Sequence, residues 1–308
     1  MKEMYRAILK FVALDFNIKS YLYFLIFMSV TIYLNYRFDF DNSVIMVQPQ
    51  HIRIVYYFAL YSFAYYGILI PKMYLTGKEH KLKRSYFWIK SIFFLVIMSI
   101  ALGSTFVSFF PRLENHVQNH FIRSLAINIE EFIFYAICFG LFSIIFYKKR
   151  WEAYYGLNIK NVNILPYVWM LAIMFPIILL GSIQEDFLNY YPTFRVNTDD
   201  GSLGISKTVA FSLYEMCYSI SFISTEFMFR GVLVIGLSRA LGRDAILPMT
   251  ATYAFIHFGK PELETISSIF GGYILGILAL KSKNILGGCL VHIGIALMMD
   301  TFTFIQKW

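Results

Sequence analysis

Residues 87–110 read FWIKSIFFLVIMSIALGSTFVSFF, with a single charged side chain, Lys90. About 20 consecutive apolar residues are what a helix needs to cross a hydrocarbon core about 30 Å thick, and a helix satisfies its own backbone there. Runs of this kind recur along the whole chain. We count nine candidate spans, at 20–36, 54–75, 87–110, 127–147, 164–183, 206–240, 245–258, 263–281 and 285–305. The run at 206–240 is too long for one crossing and is expected to protrude or kink. The run at 245–258 is short and is expected to tilt or re-enter, so eight crossings serve as well as nine. The expected fold is all-α, a polytopic transmembrane helical bundle of eight to nine spans.

Composition agrees. Hydrophobic residues make up 58% and charged residues 15%, where a soluble domain has about 45–50% and about 25%. The 32 Phe and 23 Tyr exceed what one soluble core buries. The net charge of +8 sits in short basic clusters between apolar runs. No basic stretch interleaves with stacking aromatics in a polar context, which argues against nucleic acid as a partner and leaves membrane lipids. Cys138, Cys217 and Cys289 each fall inside an apolar run without CxxC spacing and read as small core residues. Met1–Phe16 is mixed and amphipathic, with no small-residue cleavage site, so the first span is expected to stay as an uncleaved anchor.

Lys and Arg set the expected orientation. A cytoplasmic N-terminus puts 17 of them inside: four before the first span, five in 72–84, four in 148–160, and Arg239, Arg243, Lys281 and Lys283. Eight fall outside, among them Arg37, Arg53 and Lys260. The longest polar connection, 184–205, carries Asp199, Asp200 and Gly201 and faces outward in that orientation. It divides a front region, 1–183, of unknown role from a back region, 206–305. Well inside its spans the front region holds almost no ionisable side chains. The back region holds Glu215, Glu226, Arg230, His257, His292 and Asp300.

An ionisable group at membrane depth costs about 2.5–3.5 kcal/mol or more unless paired or wetted, so several in neighbouring spans argue for one shared polar cavity. Glu226 and Arg230 stand four apart, on one helix face. Taken alone they also fit an ion pair that fixes helix packing. Alone, His257 fits an interfacial histidine and His292 an interhelical hydrogen bond. Helical rise places Glu226 about 28 Å from Lys207, His292 about 10 Å from Ile285 and His257 about 18 Å from Ala245. Those depths let all three meet in the cytoplasmic half if the span at 245–258 tilts, in a cavity expected to open inward.

In order along the chain, Thr225-Glu226-x-x-x-Arg230, Tyr253-x-x-x-His257 and His292-x-x-x-Ala296 resemble the CPBP family, the CAAX proteases and bacteriocin-processing enzymes also called Abi. Phe229-Arg230-Gly231 and the run Gly271-Gly272-Tyr273-Ile274-Leu275-Gly276 are similar to that family too. The family pattern has two adjacent glutamates followed by Arg, then Phe-x-x-x-His, then His-x-x-x-Asn or Asp. Here Thr225 stands for the first glutamate, Tyr253 for the Phe and Ala296 for the Asn or Asp. The resemblance implies an intramembrane endopeptidase of a bacterial cytoplasmic membrane, with Glu226, Arg230, His257 and His292 as catalytic residues. In the family the first glutamate and the first His are held to activate water. With Thr225 at that position here, Glu226 is expected to orient or activate water with His257, Arg230 to hold Glu226, and His292 to stabilise the oxyanion. The implied substrate is a membrane-anchored or lipid-modified protein or peptide, and no cofactor is implied. Zinc is the alternative, since Glu226, His257 and His292 make a His₂Glu set, although no HExxH occurs.

Neither Glu215 nor Asp300 fills the gaps. Glu215 lies about 16 Å along the axis from Glu226 and Asp300 two turns beyond His292. Glu130-Glu131 lacks an Arg four residues on and reads as a pair of interfacial carboxylates. His116 and His120 share a face at metal-ligand spacing without a third ligand near in sequence. A non-catalytic scaffold or immunity-type factor stays open as an alternative, supported by Thr225 and Ala296. A transporter is the other, against which stands the lack of an internal repeat.

Overall fold

The computed structural model describes residues 2–146, 155–158, 162–195 and 203–307; the basic residues at 148–150 and 160, and Asp199, Asp200 and Gly201, lie outside them. The described residues form helices and no strand. Among the described residues, seven helices are long and apolar enough to cross a membrane, and Leu165–Gly181 is a shorter apolar one. The chain is a helical bundle and an integral membrane protein, as its composition requires. Contacts gather it into two compact units, each drawing on chain from both sides of the 184–205 connection.

The first unit takes residues 1–104, 150–162 and 227–288. It holds α1 (Lys2–Asp15), α2 (Ile18–Phe38), α3 (Gln50–Leu75) and α4 (Ser85–Gly103). It continues with a π-helical stretch at Phe227–Gly236, then α9 (Ser238–Leu241), α10 (Ile246–Phe255) and α11 (Glu262–Ser282). Asn17 caps α2 by accepting from the Ser20 N–H at 3.1 Å. α4 ends at Gly103, where Ile54 of α3 lies 2.8 Å from an added Cβ and so packs against a bare backbone. Arg53 also takes the Gly103 carbonyl at 3.0 Å.

All ten residues of α10 are buried. It packs on α3 and on α11. The α11 face is built small for it: a Cβ at Gly276 would lie 2.5 Å from Met249, and one at Gly272 would lie 2.9 Å from the Tyr253 ring. Close helix approach is what small residues four apart provide. Gly231 serves the same end on the π stretch, where the Tyr155 carbonyl stands 2.7 Å from where its Cβ would be.

The front region is not free of buried charge. Asp15 at the end of α1, Lys72 in the last turn of α3 and Asp244 before α10 are each at most 4% exposed. Lys72 Nζ lies 2.8 Å from Asp15 and 3.5 Å from Asp244. Lys78 and Lys81 close on Asp244 at 2.9 and 2.7 Å.

The second unit takes residues 105–149, 163–226 and 289–308. It holds α5 (His116–Phe146), α6 (Leu165–Gly181), α7 (Glu185–Tyr190), α8 (Lys207–Glu226) and most of α12 (Leu286–Lys307). α5 packs along α8, and Phe194, Phe211, Tyr214 and Phe304 form an aromatic core beside Phe121.

Candidate active site

The 206–240 run breaks its helical register where the motif falls. α8 ends at Glu226, and the next ten residues wind as a π-helix, a form that concentrates at functional sites. Within the second unit, Glu226 is fully buried and its Oε1 lies 3.2 Å from Nδ1 of His292 on α12. The Phe222 ring packs 4.6 Å from the imidazole. Two of the expected residues thus meet, though the sequence reading pairs Glu226 with His257. A carboxylate on Nδ1 fixes the orientation of an imidazole.

Within the first unit, Arg230 and His257 share one neighbour. The Arg230 guanidinium carbon sits 4.1 Å over the Tyr253 ring, a cation–π contact. That ring stands 4.7 Å from the His257 ring at 67°. The Tyr253 carbonyl lies 2.8 Å from His257 Nδ1. A carbonyl only accepts, so Nδ1 carries the proton and a neutral His257 has its lone pair on Nε2. Nε2 faces Glu264 Oε1 at 4.0 Å, and Glu264 is held by Lys260 at 2.9 Å.

The turn after α10 fixes this arrangement. Gly259 at φ +85 takes a left-handed conformation, and its Cβ position would fall 3.0 Å from Asp41. Tyr36 donates to the Lys260 carbonyl at 2.7 Å and touches the Thr265 hydroxyl at 2.6 Å. Thr265 in turn donates to the His257 carbonyl at 2.7 Å. A straight run from Ala245 keeps His257 in the Lys-rich half of its span. The structure instead ties its turn to the C-terminal end of α2, away from the Asp15–Lys72–Asp244 end of the unit. α10 stops at Phe255, and a turn, not more helix, carries the imidazole.

The departures from the family pattern have local accounts. The Thr225 hydroxyl donates to the Ser221 carbonyl of its own helix at 3.1 Å. Ala296 is buried and offers no donor. Asp300 is occupied by Thr193, accepting from its N–H at 3.1 Å and its hydroxyl at 2.5 Å, and Glu215 lies against it. Glu130 accepts from the Val107 N–H at 2.8 Å and so closes the turn at 106–109. Among the described residues, no group of three His, Cys, Asp or Glu side chains stands together as metal ligands.

Sequence reasoning missed Glu264 and the buried Asp15–Lys72–Asp244 network. The signal for Glu264 was present: Lys260 and Glu264 are four apart at a helix start, one short turn beyond His257.

The fold and these contacts define a polytopic helical membrane protein with a buried carboxylate–imidazole pair. Residues 209–298 match the family model for Rce1-like type II CAAX prenyl endopeptidase, so the CPBP resemblance of this stretch holds, and Glu226, Arg230, His257 and His292 all lie inside it. No curated protein and no solved structure matches the chain.

Proposed function

We propose that the chain is an intramembrane endopeptidase of the CAAX-processing type, cutting a lipid-modified or membrane-anchored protein tail near the membrane surface. In this reading it sits in a bacterial cytoplasmic membrane with its N-terminus inside. The observation that carries the proposal is the Glu226–His292 contact, a buried carboxylate on an imidazole inside the family-matched stretch.

His257 Nε2 takes a proton from water as the water oxygen bonds to the scissile carbonyl carbon. Glu226 orients His292 through the contact at Nδ1, and His292 in its imidazolium form donates Nε2–H to the oxyanion. Arg230 holds the Tyr253 ring beside His257 through its cation–π contact. Collapse of the tetrahedral intermediate breaks the C–N bond, and His257 returns its proton to the leaving amine. No step uses a metal, so 1,10-phenanthroline should leave the rate within about twofold; a large loss would favour the His₂Glu zinc set.

A non-catalytic membrane scaffold or immunity-type factor is the second reading, favoured by the Thr225 hydroxyl turned back onto its own helix. Mass spectrometry of membrane-protein C-termini from cells with and without the gene decides. The protease reading expects at least one terminus left uncut without the gene, and an unchanged set of termini contradicts it.

A further inference from the structure

We propose that Glu264 is a catalytic carboxylate, binding and activating the attacking water together with His257 in place of the glutamate that Thr225 replaces. This rests on the protease reading.

Tyr253 sets the tautomer of His257. Its carbonyl takes the Nδ1 proton at 2.8 Å, so a neutral His257 presents an acceptor, not a donor, at Nε2. Glu264 Oε1 is also an acceptor, and it faces that nitrogen at 4.0 Å. Two acceptors cannot bond each other, and 4.0 Å exceeds a direct hydrogen bond. Water is the small molecule that satisfies both, giving one O–H to each while its oxygen lone pairs point away toward a carbonyl carbon. A water polarised by an imidazole and a carboxylate at once is the arrangement general-base hydrolysis requires.

The surroundings suit the role. Lys260 Nζ holds the Glu264 carboxylate in place at 2.9 Å. Glu264 also lies in the first turn of α11, where the helix dipole favours a negative charge. The side chain is 15% exposed, buried enough to be held and open enough to be reached. His257 and Glu264 are fixed to each other by Thr265, which is bonded to the His257 carbonyl. A purely structural Lys260–Glu264 pair would explain the ion pair but not its aim at Nε2. Thr225 cannot serve as a base, and its hydroxyl is bonded within its helix.

The test uses the full-length protein in vesicles and a farnesylated, dye-labelled peptide ending in a CAAX sequence. Glu264→Gln is expected to lower kcat about 100-fold or more with KM within about twofold. Adding Thr225→Glu to Glu264→Gln is expected to recover about tenfold or more, because it restores the family carboxylate. Lys260→Gln breaks the same ion pair from the other side but leaves the carboxylate, and is expected to lower kcat at least about tenfold less than Glu264→Gln does. Should Glu264→Gln aggregate, Glu264→Asp retains the charge but draws it back by one methylene, and about a tenfold loss in kcat is expected. Wild-type kcat in a Glu264 variant, or equal losses in Glu264→Gln and Lys260→Gln, overturns this proposal and leaves the protease reading standing. A wild-type protein that cuts neither this peptide nor any cellular terminus overturns the protease reading, and this proposal with it.

Discussion

Two buried charge clusters, one in each unit, differ in a way that separates structure from chemistry. In the first unit, Asp244 takes Lys72, Lys78 and Lys81, and Lys72 also reaches Asp15 at 2.8 Å. Every charge there has an opposite charge in direct contact, and none of the partners is an imidazole. In the second unit, Glu226 is equally buried but meets His292 at 3.2 Å, and imidazole is the side chain whose ordinary pKa lies nearest neutrality. A saturated lysine–carboxylate network holds helices in place. A carboxylate–imidazole pair can hold or release a proton. Burial of charge is common to both, so burial alone does not mark a catalytic group.

The sharpest way to break this contrast is to delete the central cation of the first cluster. Lys72→Met leaves Asp15 without its buried counter-charge and removes one of three from Asp244, and breaking a buried pair costs about 3–5 kcal/mol. We expect a lower thermal unfolding midpoint in detergent and, for the fraction still folded, an unchanged KM for the farnesylated peptide. An unchanged midpoint would mean that the cluster is not what secures α1 to α3 and α10.

Tyr253 sharpens the comparison from the other side, because it links Arg230 to His257 without any charge of its own. Tyr253→Leu removes the cation–π contact, worth about 0.5–2 kcal/mol. The expected result is a fall in kcat of up to about tenfold. Tyr253→Phe keeps the ring and the carbonyl and should stay within about twofold of wild type. If Phe loses as much as Leu, the phenolic hydroxyl has a role beyond this stack.

The smallest effect concerns Asp41, which packs against the turn that carries His257. Burial pushes its carboxyl up to about 6 from an ordinary 3.8, against the opposing Tyr57 hydrogen bond. The folded state therefore binds more protons than the unfolded chain between those values. Stability from this group is fully present below about pH 3.8 and lost as pH rises through about 6. Asp41→Asn should flatten that part of a plot of unfolding midpoint against pH and leave the region above pH 7 unchanged in slope.

Much of this was legible in the amino-acid order. Long apolar runs dictate helices, and the overlong 206–240 run announced its own irregularity, which is the π stretch from Phe227. The motif residues were found because ionisable groups are rare inside apolar runs. What stayed hidden is tertiary. Lys72 reads as one more basic residue at a span end until Asp15 and Asp244 fold around it. Glu264 reads as an acidic residue complementing a helix start. Its aim at His257 depends on a left-handed turn at Gly259 and on Tyr36 from the far end of the sequence. The interleaving of the two units likewise has no periodic signature, since it comes from which helix faces meet.

The central claim is that the carboxylate of Glu226 serves peptide hydrolysis. The most direct measurement is the cleavage rate of a farnesylated CAAX peptide by wild-type and Glu226→Gln protein in vesicles, with thermal unfolding followed on the same samples. Glu226→Gln keeps the shape and a hydrogen-bonding group but removes the charge, so the account expects a loss of about 1,000-fold or more in kcat with the unfolding midpoint little changed. Cleavage by Glu226→Gln at the wild-type rate would contradict it.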